Sequence, residues 1–373
     1  MEPGTVRSSS EEDFLDYLSV PDLKKEYNSS LKGLKEKVKK EFESHKDFFE
    51  KSKKAAIEID RRHRDLINSC VYPFTNSGPL AATGYKYIRA APLSELDVPN
   101  LDFLLFKHTD RFSIAVLGEC KGSISNYNSL VRELQERVSV VEENLDFLKK
   151  QYLKLSESKQ VFLEYVVAVP TNDAVEMVNK IIENGGGQIV WQISIAGNPE
   201  ISIAFPARGI PIPRETMMHK DPQLNIALDP SKHTQSNRNA FNVFPQGHVY
   251  TKLCSLICSA RPGDSGLVVR KEELKKDISQ DLFYMDDIYI DKETDYILEK
   301  GKEIDFLECI EKDNIYKIKA RGTKRNKLET QLEEKWIKNQ SEHDLDKAVE
   351  EKKLLLRDDF IKKRGKVRTI FDF

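Results

Sequence analysis

The 373-residue sequence predicts an α/β protein: a central mixed β-sheet flanked by long helices, followed by a smaller helix-and-hairpin domain. Three observations carry that expectation. Short apolar runs are bounded by Gly, Pro and Asn; two long stretches repeat apolar residues every three or four positions; and the middle of the chain reads strand, helix, strand.

Taken in order, residues 1–27 form a polar, Ser/Glu-rich N-terminal segment. A long helix is expected from Asn28 to Ser69, with a packing seam through Leu31, Leu34, Val38 and Phe42 and on to Ile59, His63 and Leu66. His45 and His63 fall in that seam and read as partly buried helix-packing residues. The stretch from Pro73 to Gly84 breaks the helix, and Tyr85–Ala90, Leu101–Phe106 and Phe112–Gly118 follow as strands of a meander. A second seamed helix begins near Ser125 and runs to Leu155. Val161–Val169 is a buried strand, Asp173–Glu183 a helix, Gly185–Gly187 a turn and Gln188–Ala196 a further strand.

Residues 206–246 hold six of the fifteen prolines and few periodic apolar positions, so a linker or long loop is expected there, closing a first domain at residues 28–205. In residues 247–320, helices at Val249–Ala260, Lys271–Asp277 and Asp287–Glu299 precede a hairpin at Ile304–Ala320. Three short helices and a hairpin are the element order of a winged-helix-like, DNA-binding module. Residues 321–373 form a charged helical tail with basic clusters at Arg321–Lys327 and Lys362–Arg368.

Composition narrows the function classes. Hydrophobic residues are 39% and charged residues 32%, as in a globular chain with real cores under a polar surface. The net charge of -2 excludes a globally basic nucleic-acid binder, so any DNA contact must come from local patches. No apolar run approaches the about 18 residues of a membrane span, and the N-terminus lacks a basic and then apolar order, which predicts a cytoplasmic protein with no membrane partner. The five cysteines are scattered and read as reduced thiols; Cys254 and Cys258 lack the second pair that structural zinc needs. Gly263-Asp264-Ser265-Gly266 matches a serine-protease tetrapeptide, but the helical and α/β pattern before it lacks the two β-barrels such an enzyme requires. It reads as a turn.

Chemistry concentrates in the second and third strands. Hydrolysis of a phosphodiester needs carboxylates that hold a divalent cation on the phosphate, and a group that orients or deprotonates the attacking water. If the hairpin folds about its midpoint between Asp110 and Arg111, Asp102 lies directly across from Glu119. Cross-strand neighbours on one face have β-carbons about 5 Å apart, close enough to share a cation. Lys121 follows Glu119 by two residues and so faces the same side. These charges interrupt otherwise apolar strands, which calls for a partner such as a metal. Gly118 and Gly122 flank the acid and would let a substrate backbone approach. Other Glu-any-Lys triplets, at Glu157, Glu333 and Glu351, lie in polar stretches and carry no such context.

Asp102 followed by Glu119-Cys120-Lys121 resembles the PD-(D/E)XK nuclease superfamily, which includes many restriction endonucleases; the likeness spans roughly residues 30–200. It departs from the pattern in one respect, since Pro99 precedes Asp102 by three residues. The resemblance implies a restriction-endonuclease-like core, Mg2+ (replaceable by Mn2+) held by Asp102 and Glu119, and Lys121 assisting the water. Members often add a glutamate from the preceding helix, for which Glu58 is the candidate. It also implies a metal-dependent endodeoxyribonuclease acting on double-stranded DNA, with a type II restriction endonuclease as the setting. A DNA repair or defence nuclease and a non-catalytic DNA-binding regulator are the alternatives. Ser123, Ser125 and Asn126, just past the motif, and Arg321, Lys324 and Arg325, in the basic cluster, are the expected DNA contacts. Because double-strand cleavage needs two active sites, the helical seams predict a homodimer.

Overall fold

The computed structural model describes residues 10–76, 78–109, 112–194, 200–206, 217–229, 231, 234–235, 249–263, 266–281, 287–311 and 314–371. Asp110 and Arg111 of the expected hairpin turn, most of the 206–246 linker, and Asp264 and Ser265 lie outside them. The fold is mixed α/β. In chain order its principal elements are α1 (Glu11–Leu18), α2 (Pro21–Ser44), α3 (Lys46–Val71), β1 (Lys86–Ala90), β2 (Phe103–His108), β3 (Ser113–Cys120), α4 (Tyr127–Glu143), β4 (Phe162–Pro170), α5 (Thr171–Glu183), β5 (Ile189–Ser194), β6 (Glu200–Ile203), β7 (Thr234–Gln235), α6 (Val249–Cys258), β8 (Arg261–Gly263), β9 (Gly266–Arg270), α7 (Lys271–Asp281), α8 (Asp287–Glu303), β10 (Leu307–Glu311), β11 (Ile315–Ile318) and α9 (Arg325–Phe371). No helix among the described residues is long and apolar enough to cross a membrane.

Two differences from the periodicity reading have local causes. The single helix expected over residues 28–69 is broken at His45, where Ser44 Oγ donates to the Glu41 carbonyl at 2.7 Å and His45 Nδ1 lies 2.9 Å from the same oxygen. Side chains that engage the carbonyl of the preceding turn compete with the helix ladder. Likewise α4 stops at Glu143 instead of continuing to Leu155. Asn144 closes it, its Nδ2 donating to the Val140 carbonyl at 2.8 Å.

The chain divides into two compact units. The first comprises residues up to Ala56 together with those from Thr330 onward. Its core is Phe14, Leu18, Leu23, Tyr27 and Phe360, so α1, α2 and the end of α9 pack together. Arg357, almost wholly buried, donates to Glu11 at 3.1 Å and to the Tyr27 hydroxyl at 3.3 Å. Lys353 also reaches Glu11, at 2.8 Å.

The second unit, Ile57–Glu329, holds both sheets. In the first sheet the strands run β1-β2-β3-β4-β5-β6-β7, the last only two residues long. The pairs β3/β4 and β4/β5 are parallel and the others antiparallel, which makes the sheet mixed. Helices α4 and α5 supply the crossovers that parallel neighbours require. β3 sits near the middle and is buried at every position. On one face Phe103, Leu105, Val116, Ala168 and Trp191 pack against Leu66, Ile67 and Cys70 of α3. On the other, Leu117, Val167 and Val169 meet α4 and α5. Each such fully buried aliphatic or aromatic side chain contributes about 1.5–3 kcal/mol over its exposed state.

Gly118 has a packing role. A Cβ there would lie 1.9 Å from the Phe103 ring, so glycine makes room for the aromatic layer of Phe103 and Trp191, whose rings stack with centroids 5.8 Å apart. It is buried beneath that ring, which corrects its reading as a point of substrate approach. Gly122 does lie open, with nothing near the Cβ position.

The second sheet has the order β10-β11-β9-β8 and carries α6, α7 and α8. The three helices and the terminal hairpin fall where the sequence put them. An unforeseen short hairpin, β8 and β9, lies between the first two helices, and β9 pairs with β11 antiparallel.

Candidate active site

The hairpin of β2 and β3 pairs Phe103 with Gly118, Leu105 with Val116 and Lys107 with Ile114. That register extends to Asp102 opposite Glu119, as the midpoint argument predicts, and Asp102 N donates to the Gly118 carbonyl at 2.8 Å. Asp102 itself occupies a bend just before β2. Its carboxylate is therefore held by side-chain and amide contacts, with Oδ2 accepting from Cys120 N at 2.7 Å and lying 3.1 Å from His63 Nε2. Among the described residues Oδ1 accepts no hydrogen bond.

Glu119 is buried at the end of β3, its side chain only 3% exposed. Lys121 Nζ lies 2.7 Å from Oε1, and Arg137 of α4 donates to Oε2 at 2.5 Å and to the Asn100 carbonyl at 2.6 Å. Burial and, next, the charge of Asp102 push the Glu119 carboxyl above its ordinary value, while Lys121 and Arg137 pull the other way. For His63, burial opposes the charged ring, but the hydrogen bond to Asp102 and the charges of Asp102 and Glu119 outweigh it and raise the pKa. The Cys120 thiol lies between the acid and the lysine in sequence but turns to the other face, 3.8 Å from the Cys70 sulfur, where burial raises its pKa.

Asp102, Glu119 and Lys121 are thus brought together. Glu58 is not joined to them by a hydrogen bond: its Oε1 accepts from Arg62 and its Oε2 from Arg61, both at 3.0 Å. Helix α3 instead delivers His63 to the acids. The seam reading missed this, although the four-residue run Arg61-Arg62-His63-Arg64 in mid-helix was a visible signal. Arg137 was missed as well, since nothing in the α4 pattern distinguishes it from a solvated arginine. Ser123 and Ser125 are exposed in the loop after β3, and Asn126 caps α4 by accepting from Ser129 N at 3.0 Å. Arg321, Lys324 and Arg325 are exposed around the start of α9, with Arg325 bonded to Glu329 at 2.8 Å.

Searches against known protein families, curated proteins and solved structures match none of them to this chain. The residues themselves must therefore answer for a metal. Among the described residues no group of three or more His, Cys, Asp and Glu is arranged to hold an ion. Two facing carboxylates are present, and Mg2+ is commonly held by one or two carboxylates with water and substrate phosphate completing its shell. The open Oδ1 of Asp102 fits such a cation, and Glu119 would join it once Lys121 or Arg137, which hold its two oxygens, drew aside.

A second buried polar network lies at the opposite end of β3. Lys107 Nζ is 2.8 Å from Asp221 Oδ2, both groups being buried. Nearby, Trp191 Nε1 donates to His219 Nε2 at 3.0 Å, and His219 Nδ1 lies 2.7 Å from Glu164. Because Nε2 accepts from the indole, the proton sits on Nδ1 and is donated to the carboxylate. This network ties the segment around residue 220 to the sheet.

Proposed function

We propose that the chain is a Mg2+-dependent DNA endonuclease with Asp102, Glu119 and Lys121 as its catalytic cluster. The observation that carries the reading is the register of β2 on β3, which sets two acids opposite each other and a lysine two residues on, at one sheet end. Mg2+ held by Asp102 and Glu119, or Mn2+ in its place, would polarise the phosphoryl oxygen and lower the pKa of a bound water. Lys121, 28% exposed and 2.7 Å from Glu119 Oε1, would donate from its ammonium to the attacking water beside that carboxylate. As the water oxygen bonds to phosphorus the P–O bond to the leaving oxygen would break, the water's proton passing to solvent and the leaving oxygen taking one from solvent, while Lys121 and Arg137 would offset the negative charge of Glu119 and the phosphoryl group. The open loop at Gly122, Ser123 and Ser125 offers small donors to the phosphodiester backbone.

On this reading the core is restriction-endonuclease-like and the β10-β11-β9-β8 module winged-helix-like, the order of its helices and the pairing of β9 with β11 supporting the latter. Its third helix, α8, would be the groove-reading element of such a module. That helix carries six acids against three lysines, a balance unsuited to a phosphate-lined groove. DNA contact is better assigned to Lys317 of β11, to Lys319 just beyond it, and to the Arg321, Lys324 and Arg325 cluster that follows. A site-specific type II restriction endonuclease acting as a homodimer on double-stranded DNA is the setting we propose, with repair or defence nucleases sharing the chemistry.

A non-catalytic DNA-binding regulator is the second reading. It is favoured by the occupation of both Glu119 oxygens by cationic side chains. Incubation with supercoiled plasmid and Mg2+ separates the two. The nuclease reading expects cutting by wild type and none by Asp102→Ala or Lys121→Ala; intact DNA across a broad panel of sequences, with binding retained, supports the regulator.

A further inference from the structure

We infer that His63 is a positioning residue for the proposed cation site, fixing the Asp102 carboxylate so that Oδ1 faces the ion. The inference rests on the nuclease reading above and concerns a residue outside its motif. The Asp102 backbone is held just before β2, its N donating to the Gly118 carbonyl at 2.8 Å and its carbonyl accepting from Ala91 N at 3.1 Å, but these bonds do not set the carboxylate's own torsion. The terminal torsion of an aspartate is broad and roughly two-fold, and a carboxylate left to itself exchanges its oxygens readily. Here both hydrogen bonds fall on one oxygen: Cys120 N at 2.7 Å and His63 Nε2 at 3.1 Å meet Oδ2. An ionised carboxylate only accepts, so Nε2 is the donor. A half-turn about the last torsion only exchanges two equivalent oxygens, whereas smaller rotations break both bonds, so the carboxylate plane is fixed and the oxygen that takes neither bond, Oδ1 here, is the free ligand atom.

The imidazole is itself held firmly. It belongs to α3, whose next turn buries Leu66, Ile67 and Cys70 in the core beneath the sheet. The ring is 28% exposed, sheltered enough for its hydrogen bond to persist yet open to an ion's water shell. Groups that orient a metal-binding carboxylate are worth about 10- to 100-fold in metal affinity.

The test is Mn2+ binding to the full-length chain without DNA, followed by titration calorimetry and by the electron paramagnetic resonance of free Mn2+. Wild type, His63→Ala, His63→Asn, His63→Gln and Asp102→Ala are compared. His63→Ala is expected to weaken binding by about tenfold or more. His63→Asn, too short to reach Oδ2, should lose affinity equally, and His63→Gln, whose amide can place a donor near Nε2, should recover most of it. Excess Mn2+ should restore cleavage to His63→Ala but not to Asp102→Ala. If all three His63 variants bind Mn2+ like wild type while Asp102→Ala does not, the role given to His63 is overturned and the nuclease reading stands. If wild type neither binds Mn2+ nor cuts DNA, that reading fails and takes this inference with it. An alanine variant that does not fold leaves the asparagine and glutamine pair to decide: equal affinities overturn the inference.

Discussion

Arg137 donates to Glu119 Oε2 at 2.5 Å from the facing helix, so the acid at the end of β3 is counter-charged by α4 as well as by its neighbour Lys121. A nearly fully buried carboxylate survives only with such partners. Arg137→Met leaves Glu119 with Lys121 alone and an unfilled acceptor, and should lower unfolding free energy by about 1–3 kcal/mol. Chemical denaturation reads this directly, and Arg137→Lys should recover part of the loss.

Gly118 and Phe103 make a second pair. Gly118→Ala places a methyl inside the Phe103 ring, so the aromatic layer must shift, at a cost of about 1–3 kcal/mol. In the Phe103→Leu background the same change should cost less. A double-mutant cycle by thermal unfolding should return a coupling term well above its error, and strict additivity would show that the ring is not the obstacle.

The meander of the first three strands, the strand–helix–strand after it, the helical cover and the pairing of Asp102 with Glu119 were legible in the sequence because period-2 and period-3.6 patterns and hairpin symmetry are local rules; β6 and the two-residue β7 were too short to show alternation. The break at His45 was not, since it turns on which side chains seek the Glu41 carbonyl. His63 and Arg137 were hidden for a different reason. A histidine in an apolar seam and an arginine on a polar face each have an ordinary explanation, and only the fold brings them onto the two acids. The β8–β9 hairpin escaped notice because Arg261–Gly263 is too short to show alternation and holds a proline.

Glu11 gives the first unit a pH signature. Burial pushes its pKa up, but the hydrogen bond and charge of Lys353, with help from Tyr27 and Arg357, outweigh this and hold it below the ordinary 4.5. A carboxyl depressed in the folded state stabilises it above its unfolded value and loses that contribution as pH falls through the folded one. The protection factors of the α1 amides, corrected for the intrinsic pH dependence of exchange, should fall on acidification below 4.5 more in wild type than in Glu11→Gln.

Lys107 and Asp221 are buried together, so removing one strands the other. Lys107→Met or Asp221→Leu alone should destabilise by about 3 kcal/mol or more, and the double variant by less than either. Denaturant midpoints for the four proteins check it. Cleavage by the double variant should remain, because this pair lies at the far end of β3 from Glu119.

The most direct test of the proposed chemistry is anomalous diffraction from a crystal grown with Mn2+. The account predicts a peak bridging Asp102 Oδ1 and the Glu119 carboxylate, with Lys121 or Arg137 drawn back from Glu119. A structure in which Mn2+ occupies other sites while Glu119 keeps both cationic side chains and Asp102 Oδ1 faces only water would contradict it.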